Sequence, residues 1–134
     1  LCRTVQALFQ LFLARIDIVT TDIEHVLNFL SKCPLYFNSF LISGRYNLTV
    51  LLVGENIRSI MSCVDSHLRT DPLIKDMEFN LIVTPIREYI VPIKPTLDKK
   101  KNTPCETDCS NCTFYMHDRC LGCPASLHYK GTLL

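Results

Sequence analysis

Val5-Gln-Ala-Leu8-Phe9-Gln-Leu-Phe12-Leu13-Ala-Arg-Ile16 is the stretch on which the fold class turns. Leu8, Phe9, Phe12, Leu13 and Ile16 recur at the i, i+3, i+4 spacing of one helical face, so the pattern predicts an amphipathic helix over residues 3–16. Downstream, Thr21-Asp22-Ile23-Glu24 has the capping-box form, with Thr21 as cap. Ile23, Val26, Leu27 and Leu30 extend it as a second apolar stripe, and Pro34 stops it because the residue before a proline is pushed out of helical geometry.

Leu35 to Ile42 is aromatic-rich and fits a strand, a packed loop or a short helix equally well. A third helix is expected from Asn47 to Arg69, weakened at Gly54 by about 1 kcal/mol relative to alanine, so that a break there is allowed. Asp71-Pro72 reads as the start of a fourth, with the acid as cap and the proline in the first turn. Pro85 kinks or splits that helix. From Pro92 to Pro104 three prolines and four lysines replace apolar residues, which marks a linker. The expected architecture is mainly α: a helical domain over 1–91, a linker over 92–104 and a small C-terminal zinc module over 105–134.

Composition sets the outer limits. A chain of 134 residues, 48% hydrophobic and 20% charged, can bury a core of its own and is not a disordered sequence. A net charge of +1 supplies no global field for nucleic acid or an anionic membrane. No apolar run approaches the ~20 residues that span a bilayer, so no membrane partner is expected. Val5 to Ala14 is a poor signal-peptide core, because Gln6 and Gln10 interrupt it and no small-residue cleavage site follows. The expected setting is intracellular.

Eight cysteines would suit a disulfide framework were they spread through the chain. Instead Cys105, Cys109, Cys112, Cys120 and Cys123 crowd together with two C-x2-C pairs, the arrangement that delivers thiolates to one tetrahedral Zn²⁺. Gly122 lies inside the second pair, where a metal knuckle can require positive φ. Cys109, Cys112, Cys120 and Cys123 are the expected ligands, with Cys105, His117 and His128 as alternates, and zinc binding would drive the folding of a segment poor in apolar residues. Cys63 and His67, at i and i+4, are the remaining donor pair on one helix face, but a packed cysteine beside a surface histidine is the simpler reading. Cys2 and Cys33 read as packing residues.

No phosphate-binding glycine loop, nucleophile elbow, H-E-x-x-H helix or deaminase signature is present, and a thiolate-rich site is closed rather than catalytic, so no enzyme is expected. Phe114, Tyr115 and Arg119 sit where zinc knuckles place base-stacking groups. Glu106, Asp108 and Asp118 oppose phosphate, however, and the aromatics serve equally as a miniature core.

Cys112-Thr-Phe-Tyr-Met-His117-Asp-Arg-Cys120-Leu-Gly-Cys123 resembles the middle of a RING domain, without the final C-x2-C pair. Over the whole chain, helices followed by a truncated cysteine cluster resemble the small RING/U-box-like nucleocapsid assembly proteins of baculoviruses. That resemblance implies a viral structural protein of the host nucleus and virion, joining other viral capsid proteins in a hetero-oligomeric assembly. The alternatives are a RING-like ubiquitin-ligase adaptor and a nucleic-acid-binding accessory factor.

Overall fold

The computed structural model describes residues 2–4, 11–87, 90–92, 99–104 and 106–131. The expected first helix falls on residues of which 5–10 lie outside this set; of the rest, 3–4 and 12–16 are strand. Strand β1 covers Cys2–Thr4 and β2 covers Phe12–Thr20. Within β2 the side chains alternate: Ala14, Ile16 and Ile18 point into the core, Arg15 and Asp17 to the opposite face. Phe12 and Ile16, four residues apart, satisfy a helical spacing as well as a strand's, and pairing with distant partners is what selects the period of two.

Helix α1, Ile23–Leu30, forms where the second helix is expected, but its cap is Asp22, whose carboxylate accepts from His25 N–H at 2.9 Å. The undecided aromatic stretch is β3, Tyr36–Leu41. The expected third helix divides at Gly54 into β4, Leu48–Gly54, and α2, Ile57–Cys63, which passes into a single π-helical turn, Val64–Leu68. Asn56 caps α2 by accepting from Arg58 N–H at 2.7 Å. The expected fourth helix is β5, Ile74–Ile82. Strand β6, Ile90–Pro92, pairs with β1 in a separate two-stranded ribbon.

The principal sheet has the order β3-β4-β2-β5, every neighbour antiparallel. With α1 joining β2 to β3 and α2 joining β4 to β5, this is the β-α-β-β-α-β arrangement of ferredoxin-like folds. The mainly-α expectation is therefore wrong: the protein is α/β, built on a four-stranded antiparallel sheet. Ala14, Ile16 and Ile18 from β2, Leu48, Val50 and Leu52 from β4, and Val26, Leu30, Ile60, Val64 and Leu68 from the helical side make one fully buried core. Both helices thus lie on one face of the sheet, and among the described residues no helix covers the other. Among the described residues no helix is long and apolar enough to cross a membrane.

The C-terminal segment contains a 3₁₀ turn, Cys109–Asn111, and a short helix α3, Thr113–Met116. It rests on α2, with Leu121 N–H donating to Ser59 Oγ at 3.0 Å and Ser62 Oγ donating to Arg119 C=O at 3.3 Å. Lys100, which precedes it, is tied to its later part by Lys100 N–H to Ala125 C=O and Leu127 N–H to Lys100 C=O, at 3.1 and 2.9 Å.

Candidate functional site

A concavity lies on each side of the sheet. On the helix side, a cleft of about 90 Å³ lies between the C-terminal segment and the ends of α1 and α2. The four expected zinc ligands, Cys109, Cys112, Cys120 and Cys123, all line it, as do Cys33, Cys63 and His67. Burial pushes the Cys120 thiol up, and the neighbouring Cys109 and Cys112 add to the rise against the Gly122 N–H and Ser59 hydroxyl that favour its thiolate. His117 turns to Thr113 C=O, with Nδ1 at 2.8 Å, and stays exposed. The imidazole of His128 meets Tyr115 edge-on, with ring centroids 6.0 Å apart. Cys105 lies outside the described residues.

Proximity of these donors does not amount to the expected zinc centre. Among the described residues no group of three or more His, Cys, Asp or Glu side chains is placed to hold a metal ion. The cohesion visible in the segment comes from elsewhere: backbone hydrogen bonds to Lys100, docking onto Ser59 and Ser62, and burial of Ala125 and Ser126. The zinc, zinc-finger and RING-like expectations are corrected accordingly. The aromatics between the cysteine pairs are engaged internally, Tyr115 donating its hydroxyl to His128 C=O at 2.7 Å and Phe114 lying under the Arg119 guanidinium at 5.4 Å.

The second concavity was not foreseen. It lies on the uncovered face of the sheet, has a volume of about 450 Å³, and is lined by residues that include Arg15, Asp17, Arg45, Tyr46, Thr49 and Glu78. Strand register brings the polar wall together, Asp17 standing opposite Thr49 on β4 and Glu78 on β5. Asp17 is only 3% exposed. Its carboxylate accepts from Arg15 at 3.1 Å (Nε) and 2.7 Å (Nη2), and from Thr49 Oγ1 at 2.7 Å. Burial acts to raise the Asp17 carboxyl, yet these hydrogen bonds and the guanidinium charge outweigh it and hold the group below the usual carboxylate range. On the rim, Arg45 pairs with Asp76 at 3.0 Å, and Tyr46 donates its hydroxyl to Glu78 at 3.2 Å. Burial, followed by that hydrogen bond, pushes the Tyr46 phenol up. The available signal was the alternation Arg15-Ile16-Asp17-Ile18, in which two charges share a face with no solvent-facing helix to carry them.

No protein-family model and no curated protein sequence matches the chain. Solved structures do match its fold. The structure described as FFRP-DM1 is 19% identical, with a TM-score of 0.51 over 54% of this chain and 99% of that one. A transcriptional regulator from Neisseria meningitidis, solved as a complex with L-Met, is 12% identical, with a TM-score of 0.51 over 57% of this chain and 52% of that one. An AsnC family transcriptional regulator from Agrobacterium tumefaciens is 17% identical, with a TM-score of 0.50 over 69% of this chain and 65% of that one. The chain thus spans about half of the Neisseria protein and about two thirds of the Agrobacterium protein. At such identities the likeness establishes the fold. The resemblance to baculovirus nucleocapsid assembly proteins is overturned, and the viral capsid partners, host nucleus and virion fall with it, since the fold is that of bacterial transcriptional regulators. The reading of the sequence as non-catalytic agrees with regulators of this fold.

Proposed function

We propose that the chain is a regulatory domain that senses a small zwitterionic effector, of the amino-acid class, on the uncovered face of its sheet. The observation that carries this reading is the open cleft of about 450 Å³ that holds guanidinium groups, carboxylates and hydroxyls of both charge signs together. Small-molecule sites typically enclose about 300–1,000 Å³ with a few convergent polar groups, so the volume is adequate for an amino acid. A ligand carboxylate would meet Arg45 at the rim, and its ammonium would meet Glu78. Asp17 is already satisfied by Arg15 and Thr49 and acts as the fixed strut between them. The Neisseria regulator that shares the fold was solved with L-Met, which supports an amino acid as the ligand class. Both helices are committed to the core, so the proposed role is sensing rather than contact with DNA. Within this proposal residues 1–91 carry the sensor, 92–104 link it to 105–134, and that last segment closes the helix side.

The test is thermal denaturation of the full chain against each of the twenty amino acids. A ligand present at 100 times its Kd is expected to stabilise the fold by about 2.7 kcal/mol. Arg45→Ala and Glu78→Gln should each abolish that gain. No shift with any amino acid at millimolar concentration, in a chain shown to be folded, would refute the reading.

A further inference from the structure

Cys33 and Cys63 come from different helical elements and stand thirty residues apart in the chain, yet their Sγ atoms are 3.9 Å apart. Each is anchored by rigid surroundings. Cys33 follows α1, with its N–H donating to Leu30 C=O at 2.9 Å and its C=O accepting from Tyr36 N–H at 3.0 Å. Cys63 closes α2 and enters the π-helical turn, where Arg69 N–H reaches back to Val64 C=O at 2.9 Å. Leu30 and Val64, the apolar neighbours of these two positions, are buried in the core, so the two elements cannot drift apart without opening it. π-helical turns of this kind recur at functional sites.

We infer that Cys33 and Cys63 form a reversible dithiol–disulfide site whose oxidant is hydrogen peroxide. A disulfide bond is about 2.0 Å long, so the sulfurs need to close by about 1.9 Å from the 3.9 Å at which they stand. Both residues line the cleft of about 90 Å³ on the helix side. A single water needs about 10–15 Å³ of such space, so the cleft admits a molecule of peroxide size. One sulfur attacks as its thiolate, breaking the O–O bond and taking one oxygen as a sulfenic acid, while the other oxygen leaves as water with the thiol's proton. The second sulfur then attacks the sulfenic sulfur, the S–S bond forms, and the remaining oxygen leaves as a second water with the second proton. Two sulfurs are oxidised by one electron each and one peroxide is reduced by two. The product ties the end of α1 to the end of α2 and fixes the wall against which the C-terminal segment rests.

The test uses the full chain. Trypsin cleavage after Lys32, Arg45, Arg58 and Arg69 releases Cys33–Arg45 and Ser59–Arg69, each holding a single cysteine. After peroxide treatment, alkylation and digestion without reductant, mass spectrometry is expected to find these two peptides joined, and dithiothreitol should part them. Two separate alkylated peptides would overturn the proposal. Either peptide joined instead to the peptides carrying Cys109 or Cys120 would do the same. An adduct removed by a chelator rather than a reductant would mean metal capture, and would also overturn it. In Cys33→Ser and Cys63→Ser chains the linked peptide should vanish, and the remaining sulfur of at least one should take a dimedone label as a sulfenic acid. A label in neither would refute the two-step route.

Discussion

Replacing Asp17 with alanine probes the reasoning about the uncovered face most directly. The carboxylate is 3% exposed and accepts three hydrogen bonds, two from Arg15 and one from Thr49. The Arg15 side chain is half exposed, and exposed ion pairs contribute only about 0–1 kcal/mol. Thr49 is 9% exposed, and stranding a buried hydroxyl costs about 1–3 kcal/mol. Relief of the buried charge offsets part of this, so Asp17→Ala should destabilise the fold by about 1–3 kcal/mol, measured by urea denaturation at neutral pH. Asp17→Asn keeps an acceptor for Thr49 and should lose about half as much. The pH dependence has a definite sign. The folded-state pKa of Asp17 is lowered, so its contribution is complete above the ordinary carboxylate value of 3.8 and is lost as pH falls towards the folded pKa. The gap in stability between wild type and Asp17→Asn should therefore be constant near neutrality and shrink below about pH 4. A loss under 0.5 kcal/mol for Asp17→Ala, or a gap that widens in acid, would refute the account of Asp17 as a buried, satisfied strut.

Ile16 is fully buried at the centre of the core, and Ile16→Ala should cost about 2–5 kcal/mol by chemical denaturation, whereas a helical surface residue at this position would lose almost nothing. Ser59→Ala removes the acceptor of the Leu121 N–H and should weaken docking of the C-terminal segment by about 1 kcal/mol, seen as faster amide exchange at Leu121 with the sheet amides unchanged. Gly122 has φ +88° and a Cβ there would lie 3.2 Å from His128 C=O and 3.3 Å from Tyr115 Cε2, so Gly122→Ala should cost about 1–3 kcal/mol of local stability. The check is exchange at Lys130, whose N–H donates to Leu121 C=O at 2.8 Å.

Local chemistry was readable wherever a residue acts on its near neighbours. The helix Ile23–Leu30 was legible from its apolar stripe, although its cap is Asp22 rather than Thr21 and it ends at Leu30, ahead of Pro34; a break at Gly54 was allowed by glycine entropy, although the half before it is strand. The crowding of Cys109, Cys112, Cys120 and Cys123 was visible too, and they do face one cleft; what their spacing could not convey is whether their sulfurs converge on a metal. The strands were hidden for a different reason. Phe12 to Thr20, Leu48 to Gly54 and Ile74 to Ile82 are apolar enough to satisfy both a 3.6 and a 2.0 period, and local propensity does not choose between them. Their backbone partners are far away, Ile16 facing Val50 on one side and Phe79 on the other. Those long-range ladders, closed only when the chain is folded, set the alternation that buries Ile16, places Arg15 and Asp17 on the uncovered face, and brings Cys33 to Cys63. A sequence carries the composition of a strand, but the face each side chain occupies is decided by the strands it pairs with.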